Sequence, residues 1–212
     1  MSTRLSRAEQ NDRNRALLFA AARRVFLARG YHAATLEQIA DEAGFSKGVV
    51  YSRFASKADL FLALLESRIS ERAAENARVA GSLREGDLLT LIDHLTRGDQ
   101  ATPGWLLLVI EFRVHAARDA ALSRRYAEAH ARTVEALADV LATVGTRDGQ
   151  ELAVAPRRLA ELMLAFSAGA TLEQAADPAA LGGRQVAAHV AQVLGPLFRR
   201  PAPAPVTGHP TS

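Results

Sequence analysis

Lys47, Tyr51, Ser52, Arg53 and Lys57 lie close together in the chain, and each carries a donor suited to a phosphate oxygen. Lys47 and Lys57 are the only lysines, ten positions apart, and every other cationic side chain is arginine. Tyr51 and Lys57 would bracket a short helix and hold a nucleic-acid backbone. Base reading falls to Lys47, Ser52 and Gly48, the last because a bare glycine lets backbone approach a base edge. Arg53 could add a phosphate contact. The plainer reading is a helical hairpin with a glycine turn, common in all-α proteins of any function.

Elements to position these groups are written around them. Thr35 and Gln38 make a Thr-x-x-Gln capping box, and Leu36, Ile39, Ala40 and Ala43 then share one apolar face. Gly44 supplies a left-handed helix end. Ser46 caps the next helix, with Val49, Val50 and Phe54 inward, and Ser56 caps a third with Asp59 in its first turn. Two short helices joined by a tight turn form a helix-turn-helix, a unit that enters the major groove of DNA. Charge agrees. Residues 1–57 carry 10 Lys+Arg against 5 Asp+Glu, a net of +5, whereas the remainder is −2. An N-terminal run of arginines alone (Arg4, Arg7, Arg13, Arg15) would suit any anionic surface.

These residues resemble the N-terminal domain of the TetR family of bacterial transcriptional regulators, from about Arg13 to Leu65. Leu18-Phe19, Ala21-Ala22, Val25-Phe26 and Gly30-Tyr31 resemble that family's first helix and its Phe-x-x-x-Gly-Tyr ending. Thr35, Ile39-Ala40, Ala43-Gly44, Ser46-Lys47-Gly48, Tyr51, Phe54, Lys57 and Leu60 follow its helix-turn-helix signature. Arg53, where the family favours histidine or tyrosine, and Val50, a leucine-like position, depart from it. The resemblance implies an all-α homodimer. Its N-terminal helix-turn-helix domains would read a palindromic operator on double-stranded DNA, and its C-terminal helical domains would dimerise and bind a small ligand.

The expected division is a basic arm over 1–12, a DNA-binding domain over 13–56, a ligand-binding and dimerisation domain over 57–198 and a disordered proline-rich tail over 199–212. With 212 residues, 49% hydrophobic, the chain can bury a proper core, and strand-type alternation is missing. Having no cysteine excludes disulfides and thiolate metal sites. Neither a signal peptide nor a membrane span is evident, so a cytoplasmic protein is expected. Helices are expected over about 57–80, 87–95, 105–117, 119–144, 156–175 and 184–198. In the first of these, Leu60, Phe61, Leu64, Leu65 and Ile69 form an apolar stripe, and Arg68, Glu71, Arg72 and Glu75 a solvated one.

The helix from Trp105 is almost wholly apolar yet contains Glu111, Arg113 and His115. In a buried helix each polar group needs a partner. Glu111 and His115, four apart, can satisfy one another. Alternatively they line a ligand pocket with Trp105, Phe112, Phe166 and His94, in which case Glu111 would favour a cationic or hydrogen-bonding ligand. A metal held by Glu111, His115 and His94 matches no familiar spacing, and no metal or cofactor is expected. Dimer contacts are expected from Leu162, Phe166 and Gly169 on one helix and Val190 and Leu194 on the last. The leading function is a ligand-released repressor rather than an enzyme. An activator of the same fold and a small α-helical enzyme or metalloprotein using Glu111 and His115 are the alternatives.

Overall fold

The computed structural model describes residues 6–82, 88–97, 104–147 and 151–177, with short stretches at 188–189, 192–193 and 198–199. These are all helical apart from loops and one two-residue strand pair. Helix α1 (Arg7–Ala33) begins at a capping box: Ser6 Oγ accepts from the Glu9 amide at 3.2 Å and Glu9 Oε2 from the Ser6 amide at 2.7 Å. The expected arm is therefore already helical from Arg7. Leu18, Phe19, Ala22, Val25 and Phe26 recur at helical spacing and are buried. Gly30, at φ +74° and ψ 169°, breaks the helix and turns Tyr31 into the core.

Helices α2 (Leu36–Ala43) and α3 (Lys47–Tyr51) form the helix-turn-helix, joined through Gly44 at φ +71°. Both halves of the Thr35–Gln38 box are present. Helix α4 (Lys57–Ser82) starts where Ser56 Oγ accepts from the Asp59 amide at 3.1 Å. Then come α5 (Leu88–Arg97), α6 (Trp105–Ala116), α7 (Ala120–Arg147) and α8 (Pro156–Ala176), the last with proline in its first turn as expected. Strands β1 (Glu151–Leu152) and β2 (Phe198–Arg199) pair antiparallel, so the expected tail is engaged by backbone at its first residue.

One apolar cluster runs from α1 through α2, α3 and α4 into Trp105, Leu108 and Phe112 of α6 and Leu122 and Ala129 of α7. A second joins α7 to α8. Packing thus crosses the boundary drawn at residue 56. Most of the last expected helix, including Val190 and Leu194, lies outside the described residues, and the described positions 188–189 and 192–193 are helical. Among the described residues no helix is long and apolar enough to cross a membrane.

Candidate nucleic-acid interface and ligand cavity

Helix α3 is anchored by one residue and otherwise faces outward. Val50 is buried in the core cluster shared with α1, α2 and α4, while Ser46, Lys47, Gly48, Tyr51, Ser52 and Arg53 are exposed. Val49, expected inward, is 41% exposed and joins this face. It escaped the sequence reading because adjacent valines look alike, yet a five-residue helix can bury only one of them. Ser46 occupies the N-cap position, but its hydroxyl makes no capping bond and is left for another partner. A Cβ added to Gly48 would meet nothing within 4 Å, so the backbone edge there is open.

Several donors are already committed. Tyr51 donates its hydroxyl to Glu37 Oε1 at 2.5 Å, which holds the Glu37 carboxyl below and the Tyr51 phenol above their ordinary pKa values. Ser52 Oγ donates to the Val49 carbonyl at 3.0 Å, and Arg53 Nη2 to Asn11 Oδ1 at 2.7 Å, tying the turn after α3 to α1. Lys57 is engaged within the protein. Its ammonium donates to the carbonyls of Tyr31 (2.6 Å), His32 (2.9 Å) and Ala34 (2.8 Å) and sits 4.7 Å over the Tyr31 ring. The three N–H bonds close the open end of α1, so in this arrangement the ammonium serves as a clamp and its donors are engaged.

A second set of contacts joins this domain to α6. Glu111 Oε2 accepts from the Tyr31 amide at 2.9 Å, and a Cβ at Gly30 would come within 3.0 Å of the same oxygen. The expected Glu111–His115 pair is absent. His115 instead packs its ring against Tyr31, His32 and Phe112. Tyr31 is the hub, with Phe26, Phe61 and Phe112 at 5.0 to 6.0 Å, and burial pushes its phenol up to about 12.

Beside this junction, residues of α4, α5, α6, α7 and α8 line a partly open cavity of about 150 Å3. Of the expected ligand contacts only Trp105 lines it; Glu111, Phe112, His115, His94 and Phe166 do not. Phe166 packs into the α7–α8 cluster, and His94 Nε2 lies 3.1 Å from Asn76 Oδ1. The polar wall is Arg68, Arg72 and Asn76 from α4, Arg113 from α6 and Tyr126, His130 and Thr133 from α7. Arg68 and Arg72 do pair outward with Glu71 (2.8 Å) and Glu75 (3.1 Å), but they also face inward, contrary to the solvated stripe expected of them. With Glu111 turned to Tyr31, the case for a cationic ligand lapses. Among the described residues no group of three His, Cys, Asp or Glu could hold a metal.

On the α8 side, Leu162 and Leu172 are 45% and 48% exposed, and a Cβ at Gly169 would meet nothing. With Ala165 these form an apolar stripe along one face.

Comparison with known proteins matches residues 18–64 to the family described as bacterial regulatory proteins, tetR family. Residues 84–199 match the BetI-type transcriptional repressor C-terminal domain. The HTH-type transcriptional activator FasR of Mycolicibacterium smegmatis is 50% identical over 58 residues, 27% of this chain and 26% of that protein. The chain therefore matches only about a quarter of that relative's length. Among solved structures, a TetR-family regulator from Mesorhizobium loti superposes with a TM-score of 0.70 at 21% identity, covering 91% of this chain and 97% of that one. FadR from Bacillus subtilis in complex with stearoyl-CoA gives 0.66 at 16% identity, covering 88% and 99%. With one family match over the helix-turn-helix and another over more than half its length, the chain belongs to the TetR family of bacterial regulators.

Proposed function

We propose that the protein is a ligand-responsive transcriptional repressor, a homodimer that holds a palindromic operator and releases it when a small molecule enters the cavity. One observation carries this reading: α6 is both a cavity wall and the lever on the DNA-binding domain. Trp105, Leu106, Val109 and Arg113 line the cavity, while Glu111 and Phe112 of the same helix hold Tyr31. A ligand that displaces α6 moves the end of α1, and through Lys57 the start of α4. Two α3 helices must match successive major grooves about 34 Å apart, so a small rotation suffices. The ligand needs only to prefer one arrangement by about 1–3 kcal/mol.

Ser46, Lys47, the Gly48 backbone and Val49 form the base-facing edge, with Val49 suited to a thymine methyl. Thr35, Tyr51 and Arg53 are the phosphate contacts, Tyr51 exchanging Glu37 for a phosphate oxygen as it docks. The exposed stripe of Leu162, Gly169 and Leu172 supports dimerisation through α8. FadR, which shares this fold, holds stearoyl-CoA, in keeping with a ligand role for the C-terminal helices. Glu111 and His115 are spent on the domain junction, which argues against a catalytic use.

The test is a gel shift with the duplex upstream of the protein's own coding region and a scrambled duplex, at two salt concentrations. Specific retention that weakens with salt is expected, and Tyr51→Phe should weaken both duplexes alike. Equal retention of the two duplexes by the wild type would sink the operator reading. The FasR match favours a second reading, activation from the same DNA contacts. A promoter fusion that loses rather than gains output on deleting the protein would establish it.

A further inference from the structure

The cavity wall carries one sign of charge. Arg68 and Arg72 reach it from α4 and Arg113 from α6, and no aspartate or glutamate is among its described lining residues. Glu71 and Glu75 each hold one Nη of Arg68 and Arg72 but do not reach the lining. Arg113 is exposed at the cavity's edge with no ion pair among the described residues. His130, also on the wall, is held below its ordinary pKa by burial and then by Arg113. Arg68 adds a more specific signal. Its Nε is buried and has no hydrogen-bond partner among the described residues, although its guanidinium stands 6.0 Å over the Trp105 ring. An unmet buried donor is costly, and a shift of the Arg68 side chain toward a ligand acceptor would relieve that cost. Asn76, Tyr126 and Thr133 add neutral polar groups, and the rest of the described wall, including Leu65, Ile69 and Val109, is apolar. About 150 Å3 is well below the roughly 300–1,000 Å3 of drug-sized sites, so the occupant is small.

We infer that this cavity binds a small amphipathic carboxylate, its apolar body against Trp105 and its anionic end met by Arg68 within the field of Arg72 and Arg113. The inference rests on the cavity's being the regulatory site, yet binding and regulation can be read separately.

Three probes of matched shape decide the sign: octanoate, octanamide and octylamine. Trp105 is the sole tryptophan, so emission reports entry directly. Octanoate should shift the emission saturably, with a Kd at least ten-fold below that of octanamide, and octylamine should bind weakest. Arg113→Gln should reduce the octanoate preference severalfold and leave octanamide unchanged; Arg68→Gln should reduce it further. Equal or tighter binding of octylamine or octanamide overturns the inference, as does no response to octanoate up to its solubility. So does an Arg113→Gln protein with its preference intact, should Arg68→Gln fail to fold. DNA retention is measured alongside. Octanoate that shifts Trp105 without releasing DNA leaves the anion site standing and defeats the ligand-responsive reading instead.

Discussion

Two side chains show how far a residue's type can mislead about its task. Lys57 has the position and chemistry of a phosphate anchor, but its three donors are satisfied by carbonyls at the end of α1. Lys57→Met should therefore lower stability by about 1–3 kcal/mol, since it leaves partly buried acceptors unmet. The slope of DNA affinity against salt should stay unchanged in Lys57→Met, whereas Lys47→Ala should reduce it by about one charge. Denaturant melts and salt titrations of both variants separate clamp from anchor, and a shallower slope in Lys57→Met would restore the anchor. Gly30 is the second case. Its φ of +74° with ψ near 169° belongs to a region almost reserved for glycine, and an added methyl would press on Glu111. Gly30→Ala should cost about 1–3 kcal/mol, measured by urea unfolding. Glu111→Gln, which keeps an oxygen for the Tyr31 amide, should cost much less than Glu111→Ala.

Elements were legible where their signals are local. The Thr35–Gln38 box, the Gly44 turn, the Ser56 cap and the proline at the start of α8 each act within four residues, and each stands where the sequence placed it. The face of α3 was half legible, since periodicity over five residues cannot choose between Val49 and Val50. What connects elements was not legible. Glu111 finds its acceptor role 80 residues away, at a backbone amide with no side-chain signature. Arg68 and Arg72 read as solvent-facing because their i,i+3 carboxylates are present, and those pairs do form; only packing reveals that the same guanidiniums turn toward a cavity. Helix α8 carries a prediction of its own. Gly169 faces open space within the protomer, so Gly169→Arg should fold with unchanged helical content and sediment as a monomer that no longer holds operator DNA. An unchanged dimer would move the interface elsewhere.

The whole molecule is less divisible than its sequence. Residues 13–56 look like a self-contained unit, but the aromatic core beneath them is shared: Phe61 of α4 stacks 4.3 Å from Phe112 of α6, and Tyr31 lies 5.0 Å from Phe112. Cutting after residue 56 would expose that core. A fragment of residues 1–56 should show little helix by circular dichroism, and the intact chain should melt in one cooperative transition followed alike by Trp105 emission and far-ultraviolet signal. Two separate transitions would mean that the recognition domain stands alone and the junction through Tyr31 transmits little.

The clamp at Lys57 has a use at the bench. With that amine spent on carbonyls and Lys47 exposed on α3, the chain offers acylating reagents one reactive lysine, set in the middle of its recognition surface. Brief treatment with an N-hydroxysuccinimide ester should modify Lys47 and spare Lys57. Bound operator should protect Lys47 in proportion to occupancy, so mass spectrometry of one peptide would read promoter saturation without any engineered label. Equal modification of both lysines in the folded protein would contradict the clamp.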